Sequence, residues 1–217
     1  MSRLRLRPFG WTVVSLVALI VAAALWAGWT WWGSTLPPGD RARAAASSAA
    51  RSWSASPSPS ASTSKGPAEG DLIAVMRIPR LGSSWAWPVY ASTDDADSAL
   101  ADGLAWYRDT ALPGQKGNFA VAGRSATGAN GFRDLRKLHA GDDVVVETAS
   151  SVFTYRIDVA PASLTVRSTD DWVLDPVPGH ADATAQQPLI TLTTGQDMIA
   201  TSGRSVAMGH LVSARNR

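Results

Sequence analysis

Residues 117–123 read Gly117-Asn118-Phe119-Ala120-Val121-Ala122-Gly123, a short apolar run between two glycines. A second apolar run follows later in the chain and ends in Thr191-Leu192-Thr193-Thr194. Runs of this length, bounded by turn-forming residues, are typical of strands that are buried inside a fold. We therefore predict strands at Asn118–Ala122 and Leu189–Thr194.

Stretches rich in β-branched and aromatic residues predict further strands on both sides of these two. They are Leu72–Ile78, Trp85–Tyr90, Val144–Thr148, Val152–Val159 and Ser205–Val212. Ser150-Ser151 separates the third and fourth of these strands and predicts a hairpin. Short helices are predicted at Asp94–Gly103, which ends at its glycine, and at Gly131–Leu138, where apolar residues recur at helical spacing. Closely spaced strands with few helices predict a mainly β domain, either a barrel or a sandwich.

The N-terminal region carries an uncharged run at residues 11–32, which as a helix is long enough to cross a bilayer. Basic residues precede the run at Arg3, Arg5 and Arg7, and the next one is Arg41. This asymmetry predicts a cytoplasmic segment at 1–10, a single membrane-spanning helix and an exported remainder. The alternative is a cleaved signal peptide, with Ala-x-Ala patterns at Ala22–Ala24 and Ala44–Ala46. The length of the run favours the uncleaved anchor.

Residues 33–70 are dominated by Ala, Ser, Pro, Thr and Gly. Because such a composition offers little apolar surface to bury, we predict a disordered linker that holds a folded domain at 71–217 away from the membrane. The charge also differs between the two parts of the chain. Residues 1–70 carry seven basic and two acidic side chains, whereas residues 71–217 carry 13 basic and 16 acidic ones. The folded part therefore offers no basic face for nucleic acid.

Cysteine is absent from all 217 residues, and histidine occurs three times. The sequence therefore excludes disulfides, thiolate metal sites and a cysteine nucleophile. So few histidines also argue against a histidine-rich metal site, and we predict neither a metal nor a cofactor.

The strands at Gly117–Gly123 and Thr191–Thr194 resemble the two signature strands of the sortase family, especially the class E type of high-GC actinobacteria. Ala111-Leu112-Pro113-Gly114 precedes the first strand, and Trp172-Val173-Leu174-Asp175-Pro176-Val177-Pro178 precedes the second, as in that family. The resemblance covers residues 71–213. It implies a closed β-barrel of seven or eight strands with one or two short helices, on a membrane-anchored surface protein of a Gram-positive bacterium.

Sortases are cysteine transpeptidases that cleave a Thr–Gly bond in a sorting-signal peptide through a thioester. The resemblance implies a His after the first signature strand, a Cys after the second and an Arg on the next strand. These positions hold Arg124, Gly195 and Arg204, so only the Arg is retained. Gly195 has no side chain that could attack a carbonyl, and the guanidinium of Arg124 stays protonated, so it cannot serve as a base.

We therefore predict a pseudo-sortase whose groove binds sorting-signal peptides or a peptidoglycan-type wall polymer without cleaving them. The resemblance places Thr193 and Thr194 along this groove, and Trp172 could line the groove or pack against the barrel, with packing favoured. Two alternatives stay open: an active enzyme that uses a hydroxyl nucleophile, and a structural envelope protein. The roles of the arginines also stay open. Arg124 and Arg204 could flank a bound anion, or Arg124 could be solvated while Arg204 pairs with Asp197.

Overall fold

The computed structural model describes residues 38–55, 66–92, 97–125, 129–194 and 203–217. The predicted membrane-spanning segment at 11–32 and the basic segment at 1–10 lie outside these ranges. Within them, no helix combines the length and the apolar character needed to cross a membrane. Residues 38–217 form one compact unit.

The described residues contain nine strands that lie in a single sheet. They are β1 (Leu72–Arg77), β2 (Ala86–Ser92), β3 (Leu104–Tyr107), β4 (Gly117–Gly123), β5 (Asp143–Glu147), β6 (Ser151–Val159), β7 (Thr165–Arg167), β8 (Pro188–Thr194) and β9 (Gly203–Asn216). The order is β6-β5-β1-β2-β3-β4-β8-β9, and β6 also pairs with β9, so eight strands close into a barrel. The short strand β7 adds to the start of β9. The predicted closed barrel is confirmed.

All seven predicted strands are present, and β9 is longer than predicted because it continues to Asn216. The predicted hairpin also forms, with β5 and β6 paired antiparallel. The sequence patterns did not reveal β3 and β7, which have four and three residues. The helices are α1 (Pro38–Ala55) and α2 (Asp97–Asp102), and single 3₁₀ turns occur at Pro79–Leu81, Leu135–Lys137 and Trp172–Leu174.

Helix α1 corrects the prediction of a disordered linker at 33–70, which is wrong for residues 38–55. Ala42, Ala46 and Ala49 are buried and recur at i, i+4 and i+7, so they form one apolar stripe along the helix. Ala46 and Ala49 pack against Val75 of β1 and Ala86 of β2. Alanine favours helix and is small enough to let the helix lie close to the sheet. The folded unit therefore begins at Pro38 instead of residue 71. Residues 56–65 of the predicted linker lie outside the described ranges.

Strand β4 is buried along its whole length, as its sequence predicts. Phe119 and Val121 face the barrel interior, where they join the main core with Ile190 and Leu192 of β8. Ala122 faces outward and packs beneath α2. Both faces of β4 are therefore covered, and its end is held firmly in the sheet.

The turn at Ala111–Gly114 is fixed to the barrel by aromatic side chains from two strands. The indole Nε1 of Trp106 donates a 3.1 Å hydrogen bond to the carbonyl of Ala111. Gly114 has a φ of 80°, and a Cβ at this position would lie 2.2 Å from the Phe153 ring. Glycine is therefore required here both for its backbone conformation and for the close contact.

Candidate functional site

The candidate site lies where β4, β8 and β9 meet at one edge of the barrel. Strands β4 and β8 are parallel neighbours whose register ends with Gly123 beside Thr194. Strand β9 runs antiparallel on the other side of β8, with Val206 beside Thr193. The carboxyl ends of β4 and β8 and the start of β9 therefore lie together, although they come from distant parts of the sequence.

Arg124 directly follows β4, and Arg204 lies near the start of β9, so both belong to this edge. Thr193 is in register with Ala122 on one side and with Val206 on the other. These three residues form a row on the outer face, because the next residues along each strand belong to the barrel core. Moving two residues along β9 keeps the same face, which leads from Val206 to Arg204. Strand β8 lies between β4 and β9, so these two strands are two strand spacings apart, about 10 Å.

Gly195, which follows Thr194, lies outside the described residues, as does Asp197. The structure therefore brings the two retained strand ends and both arginine positions together without describing the position between them. The proposed pairing of Arg204 with Asp197 stays a prediction.

Arg204 is partly buried, and its backbone pairs with Val166 of β7. Its Nε is buried and forms no hydrogen bond with the described residues. A buried guanidinium nitrogen without a partner is costly, so this atom favours an acceptor group nearby. Arg124 is also partly buried, and its carbonyl accepts a 3.0 Å hydrogen bond from the Phe132 N–H.

The two threonines of the second signature strand hold the edge together. Both are buried. The Oγ1 of Thr194 accepts a 3.1 Å hydrogen bond from the Ser205 N–H, which ties the end of β8 to β9. The Thr193 hydroxyl donates to the Thr194 carbonyl over 3.4 Å. These contacts give both hydroxyls a structural role in fixing the strand ends.

Trp172 belongs to a wall that covers the outer face of β9. Val173 is buried beside Val166 and Val206, and Trp172 packs against this cluster. The Asn118 side chain on β4 donates a 2.9 Å hydrogen bond from Nδ2 to the Val173 carbonyl. The long segment between β7 and β8 is therefore attached to the strands that carry the site. Trp172 packs into that wall next to the strand that bears Arg204.

Arg136 is a third arginine near this edge, and the sequence reasoning missed it. It lies in the 3₁₀ turn at Leu135–Lys137, and its Nη1 donates a 3.3 Å hydrogen bond to the Ser205 hydroxyl, the residue after Arg204. No local pattern could predict a contact between residues 69 positions apart. Arginine pairs well with carboxylate and phosphate groups, so this edge suits an anionic or carbonyl-rich ligand.

Two of the three histidines are engaged away from the threonine and serine hydroxyls of the site. His210 pairs with Asp158 at 2.7 Å and lies six residues from Arg204, about 20 Å along an extended strand. His139 contacts the Arg80 guanidinium at 3.0 Å. Among the described ranges, no three His, Asp or Glu side chains converge as ligands for a metal.

Comparison with known proteins identifies the family. A sequence model described as the sortase domain matches residues 76–212. Sortase SrtE1 of Streptomyces coelicolor is 37% identical over 110 residues, which is 50% of this chain and 30% of that protein. The chain thus spans less than a third of the length of that relative.

Solved structures agree with the sequence comparison. Sortase E from Streptomyces avermitilis is 40% identical and superposes with a TM-score of 0.60, covering 69% of this chain and 93% of that one. Sortase E1 from Streptomyces coelicolor, solved with a tripeptide in the active site, is 28% identical with a TM-score of 0.58. That match covers 70% of this chain and 94% of the other.

Proposed function

Because this chain belongs to the sortase family and is class E-like, we propose that it is a pseudo-sortase that binds a sorting-signal peptide without cleaving it. One observation carries the proposal: a glycine, Gly195, follows Thr194 where the family has its nucleophile, and the chain has no cysteine. Covalent catalysis needs a nucleophile and a base within hydrogen-bond reach. Arg124 at the family's His position cannot accept a proton at neutral pH.

Three features support retained binding. Arg204, at the family's Arg position, has a buried Nε without a partner among the described residues, which suits a peptide carbonyl or carboxylate. The wall containing Trp172 is attached to β4 through Asn118. The related sortase E1 from Streptomyces coelicolor was solved with a tripeptide in its active site.

We also propose that the site prefers a negatively charged ligand, because two arginines lie at this edge. Arg124 follows β4 and Arg204 lies on β9, and β8 lies between these two strands. An anion bound at this edge would interact favourably with both guanidiniums. A peptide carboxylate or a phosphate of a wall polymer provides such a charge.

We extend the proposal to location: residues 11–32 anchor the protein, and the barrel acts on the outer side of the membrane.

Calorimetric titration of the full chain with a Leu-Ala-x-Thr-Gly peptide tests the proposal. We expect saturable heat and an intact peptide afterwards by mass spectrometry. Arg204→Ala weakens binding at least tenfold, as expected for loss of a charge-assisted hydrogen bond. Arg167→Ala is the matched control, because Arg167 is an exposed arginine on neighbouring β7.

Two outcomes contradict the proposal and identify its alternatives. Peptide cleaved between Thr and Gly indicates an active enzyme with a different nucleophile. No heat at millimolar peptide indicates that the groove is lost, which favours a structural envelope protein.

A further inference from the structure

A cleft of about 1070 Å³ lies between the C-terminal half of α1 and the barrel end formed by β1, β5, β6 and β9. It is remote from the site described above. Arg204 lies near the start of β9, whereas Arg215 and Asn216 at the end of that strand line the cleft. Eleven residues of extended chain separate Arg204 from Arg215, a path of more than about 30 Å.

The cleft is strongly basic. Four arginines line it, Arg51, Arg77, Arg215 and Arg217, against one carboxylate, Glu147. Glu147 uses both oxygens, one accepting from Arg77 Nε at 2.7 Å and the other from Arg217 Nη2 at 2.6 Å. The single acidic side chain therefore accepts from two arginines, and the lining side chains together carry a net charge of three positive units. A cleft lined by one sign of charge attracts ligands of the opposite sign.

Arg51 and Arg215 supply the positive charge that a ligand in the cleft could pair with. Both side chains are exposed at the mouth of the cleft. Neither guanidinium forms an ion pair or hydrogen bond with any part of the chain that the structure describes. They also come from different elements, α1 and β9, so the cleft presents charge from both of its sides.

The floor between these charges is rigid and partly apolar. The Arg217 guanidinium lies 6.0 Å from the centre of the Trp53 ring. It also donates to the Ala50 carbonyl at 3.4 Å and the Ser54 hydroxyl at 3.1 Å. Val152 lines the cleft next to this cluster. A ligand therefore meets an aromatic and aliphatic surface between two exposed positive charges.

We propose that this cleft binds an acidic peptide segment of a partner protein. Carboxylates of the peptide pair with Arg51 and Arg215, and its apolar side chains pack on Trp53 and Val152. The apolar floor favours a peptide over a phosphodiester polymer, which has no side chains to bury there. The site is separate from the sorting-signal groove and does not depend on the proposed function.

The test measures fluorescence anisotropy of a labelled peptide of ten alternating Glu and Leu residues, titrated with the full chain. We expect saturable binding that weakens with salt, because exposed ion pairs are screened. The double variant Arg51→Ala/Arg215→Ala weakens binding at least tenfold. The matched control is Arg41→Ala/Arg167→Ala, which removes the same charge from exposed positions on α1 and β7 outside the cleft. Arg204→Ala leaves this binding unchanged.

Three results overturn the proposal: no saturable binding, equal weakening in both double variants, or binding of a Lys-Leu peptide of the same length as tightly as the Glu-Leu peptide. Tight binding of polyphosphate without binding of the Glu-Leu peptide also overturns it, and identifies a phosphate polymer as the occupant. Thermal melts of both double variants check that the barrel is intact, which the exposure of all four arginines leads us to expect.

Discussion

The backbone N–H of Gly114 donates a 2.8 Å hydrogen bond to the hydroxyl of Tyr155 on β6. Tyr155 is fully buried in the main core, so the bond joins the Ala111–Gly114 turn to the centre of the barrel. The Pro-Gly turn that precedes β4 is thus part of the core packing. We expect a substitution at Tyr155 to disturb this turn and, through it, the strand that leads to Arg124.

Removing this hydroxyl tests the bond directly. Tyr155→Phe leaves the Gly114 N–H without its partner in a partly buried turn. We expect the free energy of unfolding to fall by about 1–3 kcal/mol, measured by urea denaturation. Tyr107→Phe is the control, because no hydrogen bond of the Tyr107 hydroxyl occurs among the described residues. Equal losses in both variants contradict the role given to the Gly114 contact.

Stability at high pH follows from the same side chain. Burial raises the pKa of Tyr155 to about 12 from the ordinary value of 10.0, against a smaller opposing effect of the Gly114 hydrogen bond. The fold thus favours the neutral phenol, so its contribution is complete below pH 10 and is lost as the pH rises towards 12. The stabilisation lost over this pH range is about 3 kcal/mol. Burial followed by the charge of Asp102 also raises the pKa of Tyr90, which acts in the same direction.

Denaturation curves between pH 8 and pH 12 measure this loss. Comparison with Tyr155→Phe isolates the share of Tyr155, because the variant keeps Tyr90 and has no phenol at position 155. A variant whose stability falls over this range as steeply as that of the wild type contradicts the assignment.

Gly123 at the end of β4 allows Phe132 to pack against the strand. A Cβ on Gly123 would lie 2.5 Å from the Phe132 ring and 2.8 Å from Leu104. We expect Gly123→Ala to cost about 1–3 kcal/mol of unfolding free energy, as overpacked cores do. Gly66→Ala is the control, because nothing lies within 4 Å of a Cβ there. Unchanged stability in Gly123→Ala would mean that Phe132 has room to move.

The docking of α1 is tested by adding charge to its buried stripe. Ala46 is fully buried and Ala44, on the same helix, is exposed. We expect Ala46→Asp to destabilise the packed helix by about 2 kcal/mol or more, because a buried carboxylate loses its hydration. Hydrogen exchange of the backbone amides of residues 39–55 should accelerate in Ala46→Asp and stay slow in Ala44→Asp. Fast exchange in the wild type would contradict the docked helix.

Restoring the family's catalytic residues tests the pseudo-sortase proposal from the opposite direction. We expect the wild type to leave a Leu-Ala-x-Thr-Gly peptide intact, and Gly195→Cys/Arg124→His to cleave it between Thr and Gly. Mass spectrometry follows the products. Gly195→Cys alone is the control, and it should be at least about a hundredfold slower, because it lacks the acid–base group. Cleavage by the wild type contradicts the proposal.

The sequence predicts strands well where apolar residues are dense. The β4 and β8 runs are buried on both faces, so every residue contributes to the pattern, and both strands were located correctly. Strand β7 has only three residues, too few for any periodicity to be visible. Its existence depends on pairing with β9, which is a tertiary contact.

The prediction of a disordered linker is wrong at α1, because it depends on the Ala- and Ser-rich composition of this segment. Small residues give a weak hydrophobic signal, yet at helical spacing they allow a close approach to the sheet. At the site, the family resemblance identified the positions of Arg124 and Arg204. It could not identify Arg136, because that side chain reaches Ser205 only through the folding of a turn that is 69 residues away in sequence.

The parallel pairing of β4 with β8 has a kinetic consequence. Gly117 lies beside Pro188, so the two strands meet only after about 70 intervening residues have been looped between them. Pairings of such long range slow folding, because the entropy of closing the loop is lost before the contacts form. The local β5–β6 hairpin can form early, whereas the edge that carries Arg124 and Arg204 is assembled late. The ligand binding proposed for that edge would therefore report on completion of the barrel, and a chain trapped before β8 inserts would keep its hairpin and lack the site.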